Sequence, residues 1–540
     1  MIHILQDQLS IVHRFWQNPR TRAPILVVSV ASFGGALHAA VTTYYYLEIG
    51  ASELDIGQIG FVISAGSLFL SPFAGHMLDQ KGPFFPISLA AISCSIGCCV
   101  RGMAHSVGGL ILGAIFLGIG VNLWTVVLAH LVNSFDRSLR SEVLSGFAVQ
   151  TTCLQLLGKG FFPPFDWLLR KKMNFGHKKN VLPRYRLHMG LCTFFCFIGT
   201  FALILDRKNV NDPEKHSIGD DCTGSPLKLS HSGTKGIASS LVEADTPLDL
   251  KKDNAKTEQT IESSECVILG LLVFGLLCQS IGTTVLSVLW PFVVRDRYGL
   301  SVSEFGILEF VSSLLSTCAV ASFPSIERLW GRKKTAALCA ATAAACGAIA
   351  FCVSVDFSSS KLMDKENKVK SSLTGANFQF LICHAFMATI FRASLFVLEP
   401  CLKSMLSLAV PAQSQGRCLG YMATLGSIGG MTGNVVGTWL FHVSKQVFPH
   451  SYDGGILPFA AVTVLLAMAS LFFYCYGEVK GSLLATDLVE DVLLENVELG
   501  RSNFCSSGDP PLANESDFNE RQNMCSLILQ RETTYDLKLD

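Results

Sequence analysis

Long apolar runs broken by short charged turns recur along this chain, and their lengths predict helices that cross a bilayer. The run at 57–82, GQIGFVISAGSLFLSPFAGHMLDQKG, shows the plan. Between Ser64 and Met77 its one ionisable group is His76, and about 20 such residues suffice to cross hydrocarbon as a helix. The turn that closes it, GHMLDQKG, is too polar for lipid and too short for a domain, so it predicts a tight hairpin between two membrane helices. The layout returns about 250 residues later at 306–334, GILEFVSSLLSTCAVASFPSIERLWGRKK, where Gly306 and Gly331 are spaced as Gly57 and Gly82 are. Twelve spans are expected at 24–48, 55–77, 84–104, 107–132, 142–166, 187–205, 266–292, 303–325, 335–356, 376–402, 417–443 and 455–476.

The predicted fold class is an all-α membrane protein, with twelve transmembrane helices arranged as two pseudo-symmetric six-helix bundles. Residues 1–23 form a cytosolic N-terminal segment with no continuous apolar core, and so are not expected to be a cleaved signal. Residues 24–205 and 266–476 form the bundles. The Ser-, Thr-, Asp-, Lys- and Gly-rich stretch 206–265 is expected as a disordered cytosolic linker, and 477–540 as a disordered acidic tail.

Composition agrees with this picture. Half of the 540 residues are apolar and 16% are charged, with mean hydropathy +0.42, as expected of a polytopic membrane protein. The formal net charge of zero gives a nucleic-acid partner no electrostatic support. The 19 cysteines fall largely inside apolar runs without familiar metal-ligand spacing and read as small packing residues; no metal or cofactor is expected. No Walker loop or hydrolytic constellation is present, so the chain is not read as an enzyme or as directly ATP-driven.

With the N-terminus inside, both charged turns and both termini are cytosolic, and Arg328, Arg332, Lys333 and Lys334 obey the positive-inside tendency. The basic loop RKKMNFGHKKNVLPRYR at 170–186 opposes it, which implies either a binding role for that loop or a miscounted span. Asn514-Glu515-Ser516 has the form of a glycosylation acceptor, and glycan there would reverse the orientation.

Polar groups deep in an apolar run need a partner or a watery cavity. Arg392 lies in the middle of LICHAFMATIFRASLFVLEP. Glu399, two turns on, and His384, eight residues back, fall near the same helical face. Glu309, early in the eighth span, is expected either to pair with Arg392, to take up a proton, or to sit at the interface. His38 lies about mid-helix in the first span. Lys159 is expected near the outer mouth. Gly426, Gly429, Gly430, Gly433 and Gly437 recur at three- and four-residue steps and predict a helix that lets a neighbour approach closely.

The turn GHMLDQKG resembles the first cytoplasmic signature of the major facilitator superfamily, Gly-x-x-x-Asp-x-x-Gly followed by basic residues, with Gly75, Asp79 and Gly82 in register. Pro83 and Phe84 replace the usual basic pair. In the second copy Gly331 and Arg332 are kept, while Arg328 stands where the first has Asp79. VPAQSQGRCLGYMATLGSIGGMTGNVVG at 410–437 resembles the tenth-to-eleventh-helix region of the drug:proton antiporter branch, which includes tetracycline-type efflux proteins. The resemblance implies a secondary transporter of a small organic solute by alternating access, with proton-coupled efflux. The alternatives are a sugar- or organic-acid-type facilitator or symporter, and a non-transporting receptor or assembly member of the same fold. It further implies a monomer in the lipid bilayer whose helices one, four, seven and ten line the cavity. This adds Asn122, Trp124, Gln279 and Thr283 to His38, Glu309, Arg392 and Glu399 as candidate contacts for solute or protons. The two turns become conformational gates, with Gly75, Asp79, Gly82, Arg328, Gly331 and Arg332, and Asp79 facing the start of the eleventh helix near Gly416. Ala114 occupies the position where the antiporter branch carries an Arg tied to proton coupling, which puts that route of coupling in question.

Overall fold

The computed structural model describes residues 2–135, 140–172, 181–211, 250–360, 375–408, 415–447 and 456–476. The described elements are all helical: α1 (Ile2–Gln17), α2 (Pro19–Ile49), α3 (Glu53–Lys81), α4 (Phe84–Met103), α5 (Val107–Gly120), α6 (Asn122–Ser134), α7 (Arg140–Lys172), α8 (Leu182–Leu205), α9 (Arg207–Asn211), α10 (Leu250–Tyr298), α11 (Val302–Ser360), α12 (Gly375–Leu408), α13 (Gln415–Val447) and α14 (Ile456–Tyr476). Among the described residues nine runs are long and apolar enough to cross a membrane. The count falls short of twelve for two reasons. The expected spans 303–325 and 335–356 form one broken helix, α11. The expected spans 142–166 and 417–443 are helical, as α7 and α13, but are not among the nine apolar runs.

Local chemistry accounts for the helix ends. Asn18 caps α2, its side chain accepting from the Arg20 amide at 3.0 Å, and Pro19 supplies a preset first turn. Gly50, at φ 98°, ends the helix in the left-handed region. Two residues on, Ser52 and Asp55 form a capping box that starts α3. The repeated turns share an unusual backbone: Gly82 ends α3 at φ 79°, ψ 174°, and Gly331 breaks α11 at φ 75°, ψ 160°. Only glycine enters this region at little cost, so the two halves reverse direction by the same device.

Two differences concern boundaries. Residues 2–17 are helical, and Ile11 and Phe15 are buried, Phe15 edge-on to Phe135 with ring centroids 5.5 Å apart. The apolar residues of α1 are spaced along one face and form no long run, so hydropathy alone did not mark it. Helix α10 begins at Leu250, so the polar stretch before the seventh span is partly helix. The rest of the expected linker, 212–249, the tail 477–540 with Asn514, and the side chains of Asp79 and Gly416's surroundings lie outside the described residues.

The halves meet along two seams. On one, α3 and α13 run antiparallel with Gly57 opposite Thr438, Gly60 opposite Asn434, Gly430 opposite Ser64, and Gly420 against Ser71 and Gly75. On the other, α7 meets α11 by reciprocal insertion: Phe162 fills the space over Gly306 and Phe310 that over Gly160. Large apolar side chains such as Phe69, Phe73, Phe85, Phe194, Phe201 and Leu471 face outward, a surface suited to lipid rather than water.

Candidate functional site

Between the halves lies a cavity of about 370 Å³, within the usual range for a small-molecule site. It is lined by α2 through His38, Thr42 and Tyr46, by α4 through Arg101, by α7 through Lys159, by α10 through Thr283, by α11 through Glu309 and by α12 through Arg392. A second cavity of about 240 Å³ lies on the α7 N-terminal side, lined by Trp124, Phe147, Gln155, Glu399 and Lys403. Phe396 borders both.

The charges in the first cavity are organised around Glu309. Its Oε2 accepts from Arg392 at 2.7 Å and from Lys159 at 2.8 Å. Lys159 also donates to Ser313 at 2.7 Å. The side chains are 8% (Glu309), 11% (Arg392) and 14% (Lys159) exposed, so water screens little of this interaction. Glu309 Oε1 is buried without a hydrogen-bond partner. Lys159 belongs to the first half, and Glu309 and Arg392 to the second, so one carboxylate bridges the two. Arg101, also buried, donates to the Tyr46 hydroxyl and lies over that ring at 5.3 Å.

The structure sorts the residues singled out in the sequence. His38, Thr283, Glu309 and Arg392 line the first cavity, and Trp124 and Glu399 line the second. His38 Nδ1 hydrogen-bonds the Gly34 carbonyl at 3.1 Å, and the Trp124 indole donates to Ser32 at 3.0 Å. Asn122 and Gln279 line neither. Asn122 is buried between α6 and α3, accepting from Ser67 at 3.3 Å and from Ser71; Ser67 in turn accepts from Ser427 of α13 at 3.0 Å. It therefore acts in a polar link between the halves. Gln279 donates to Thr283 at 3.2 Å and to the Leu395 carbonyl at 3.5 Å.

Shared helical phase did not bring Glu399 or His384 to Arg392. Glu399 pairs with Lys403 at 2.6 Å, one turn on. His384 is buried against Tyr298, at 3.2 Å from its hydroxyl, and Trp290. Lys159 lines the first cavity. Among the gate residues, Gly75 packs by Gly420, Gly82 and Gly331 make the positive-φ turns, Arg332 pairs with Glu327, and Arg328 is exposed. Asp79's side chain lies outside the described residues.

Two clusters were not anticipated. Asp166 of α7, fully buried, meets Arg184 at 2.8 Å, Arg170 at 3.2 Å and His188 at 3.4 Å, and accepts from Ser303 of α11 at 2.6 Å. Two arginines of the basic loop are thus consumed by a carboxylate, and a third, Arg186, donates to the Ala104 carbonyl at 3.1 Å. The paired positions of Asp166 and Arg170 at i and i+4 carried that signal. The other cluster gathers Cys94, Cys98, Cys192 and Cys196 between α4 and α8.

A family model, Major Facilitator Superfamily, matches residues 25–246 and 272–497. No curated protein matches the sequence. Among solved structures, the human organic anion transporter MFSD10 (TETRAN) is similar at TM-score 0.54 and 11% identity, over 84% of this chain and 99% of that one. A mutant of the nucleoside transporter NupG is similar at TM-score 0.51 and 11% identity, over 85% of this chain and 100% of that one. At such identity these are likenesses of fold. The family match spans both halves of the chain, the repeated glycine turns fall at corresponding places in each, and the protein belongs to the Major Facilitator Superfamily.

Proposed function

We propose that the protein is a secondary transporter of a small organic anion, worked by alternating access around the first cavity. The observation that carries this reading is the charge balance of the lining: Arg101, Lys159 and Arg392 face it against Glu309 alone. An excess of buried positive charge favours an anionic ligand, and a carboxylate or phosphate matches the planar donor fork of Arg392. The likeness of fold to MFSD10, an organic anion transporter, is consistent with this choice.

The mechanism follows from which half owns each charge. In the resting arrangement Glu309 joins Lys159 to Arg392 across the halves. An anion entering the cavity competes with Glu309 for Lys159, so the bridge is exchanged for a ligand contact and the halves are free to rock. Proton exchange of the kind implied by the antiporter resemblance has weaker support, because Glu309 is held by two cations, Glu399 by Lys403, and the buried position 114 is an alanine. We retain both termini on the cytosolic side, which absence of glycan at Asn514 would support.

The test is uptake into proteoliposomes of labelled mono- and dicarboxylates, organic phosphates, a nucleoside and a neutral sugar, with an internal pH dye. Saturable anion flux that is abolished in Lys159→Met is expected. Saturable flux of a neutral solute with no anion competition would overturn the reading.

A further inference from the structure

Away from the cavity charges, four free thiols meet inside the first half. Cys94 and Cys98 are one turn apart on α4, and Cys192 and Cys196 are one turn apart on α8. Residues at i and i+4 share a helical face, and here the two faces oppose each other. All four are buried, at 5% exposure or less. The sulfur atoms of Cys94, Cys98 and Cys196 lie within 4.8 Å of one another, and Cys192 Sγ lies 3.7 Å from Cys98 Sγ. That separation is far beyond a disulfide bond. It matches the ligand–ligand edge of about 3.8 Å that a tetrahedron of 2.3 Å zinc–sulfur bonds requires. Cys94, Cys98 and Cys196 form the compact triad, and Cys192, adjoining it through Cys98, must draw in to complete the tetrahedron.

We propose that this quartet binds a thiophilic d¹⁰ metal ion of the zinc class, which staples α4 to α8. The neighbourhood supplies what such an ion needs in an apolar setting. Arg101 follows Cys98 by one turn on α4, is 4% exposed, and keeps its Nε–H buried with no hydrogen-bond partner. Three thiolates, one divalent ion and this guanidinium sum to zero charge, with the fourth cysteine bound as a thiol. Binding then expels three protons and changes no oxidation state. The close approach is fixed by backbone: a side-chain carbon at Gly120 would lie 2.5 Å from Cys94 Cα, and one at Gly97 2.6 Å from the Leu117 amide. Helix α4 is therefore held firmly against α5 at Cys94 and Gly97, beside the face that presents the thiols to α8. The sequence concealed the site because its ligands use helical four-residue steps on two helices separated by about 100 residues in the chain, not the short loops of familiar zinc motifs.

The experiment is metal analysis by inductively coupled plasma mass spectrometry on the full chain, purified in detergent without chelator, beside Cys98→Ser, Cys196→Ser and the distant control Cys278→Ser. About one zinc per chain is expected in the parent and the control, with loss in the two quartet variants. Parent protein stripped by chelator and reloaded with Co²⁺ provides a second readout that needs no variant, the visible bands of tetrahedral cobalt thiolate. Chelation should lower the unfolding temperature of the parent and not that of Cys98→Ser. A parent that carries no metal and gives no cobalt bands, its thiols merely packed, overturns the proposal, as does recovery of Cys98 and Cys192 as a disulfide. Because Arg101 faces both sites, a metal-loaded parent leaves the positive excess of the cavity to Lys159 and Arg392 against Glu309; the anion reading is decided separately, by flux.

Discussion

The two seams joining the halves use opposite chemistry. Along α3 and α13 the contacts are glycines, serines, threonines and an asparagine, laid side by side from Gly57 to Gly75. Along α7 and α11 they are Lys159 on Glu309, Asp166 on Ser303, and two phenylalanines set over two glycines. A seam of small residues allows backbones to come close and to part with little electrostatic cost. A seam of buried charges separates only when each charge finds water or another partner. On the proposed transport reading, the neutral seam is the one expected to permit movement and the charged seam the one expected to time it.

Four single substitutions, and a fifth added to the first, break or sharpen that contrast. Glu309→Gln should have the largest effect. It leaves Lys159 and Arg392 buried without their shared carboxylate, and the cost is expected at about 3–5 kcal/mol, read as a lowered unfolding temperature in detergent. Adding Lys159→Met should return part of it, and a single variant as stable as the parent would remove the charged seam from the account. Asp166→Asn keeps the shape but withdraws the charge from Arg184 and Arg170, for about 3 kcal/mol by the same measurement. On the neutral seam, Gly60→Val would set its side chain on the Asn434 amide. The expected loss is about 1–3 kcal/mol, with flux reduced more than stability because the seam can no longer close. Lys445→Ala is the smallest change. Lys445 pairs with Glu53 and, at 2.9 Å, with Asp296, giving the end of the neutral seam a charged contact. At 30% exposure it should contribute about 0.2–1 kcal/mol, and high salt should mask its removal.

How far the chain could be read without coordinates followed the range of the interactions. Apolar runs and capping glycines act locally, so the helices, the repeated turn at Gly82 and Gly331, and the membrane class were legible. Arg392 and Glu309 stood out because isolated charges in apolar runs demand an explanation. Partners were harder. Helical phase suggested Glu399 for Arg392, yet α12 turns Glu399 towards Lys403 and the second cavity. Asp166 was overlooked because Pro163, Pro164 and the basic residues around it made the segment look like a helix end. The resemblance puts Asn122 at the cavity through its place on the fourth helix, but its amide oxygen is taken by Ser67 and Ser71. The cysteine quartet depends on how α4 packs on α8, which no local pattern encodes.

Phe396, which borders both cavities, carries a kinetic consequence. A phenyl ring reorients by rotation about two bonds, in picoseconds to nanoseconds where it is free to turn, whereas rocking of helix bundles takes microseconds or longer. Were solute to pass between the chambers beside this ring, that step would be fast against the rocking of the halves. On the proposed transport reading, a smaller residue at 396 is then expected to raise leak before it changes the maximal rate, as measured by flux.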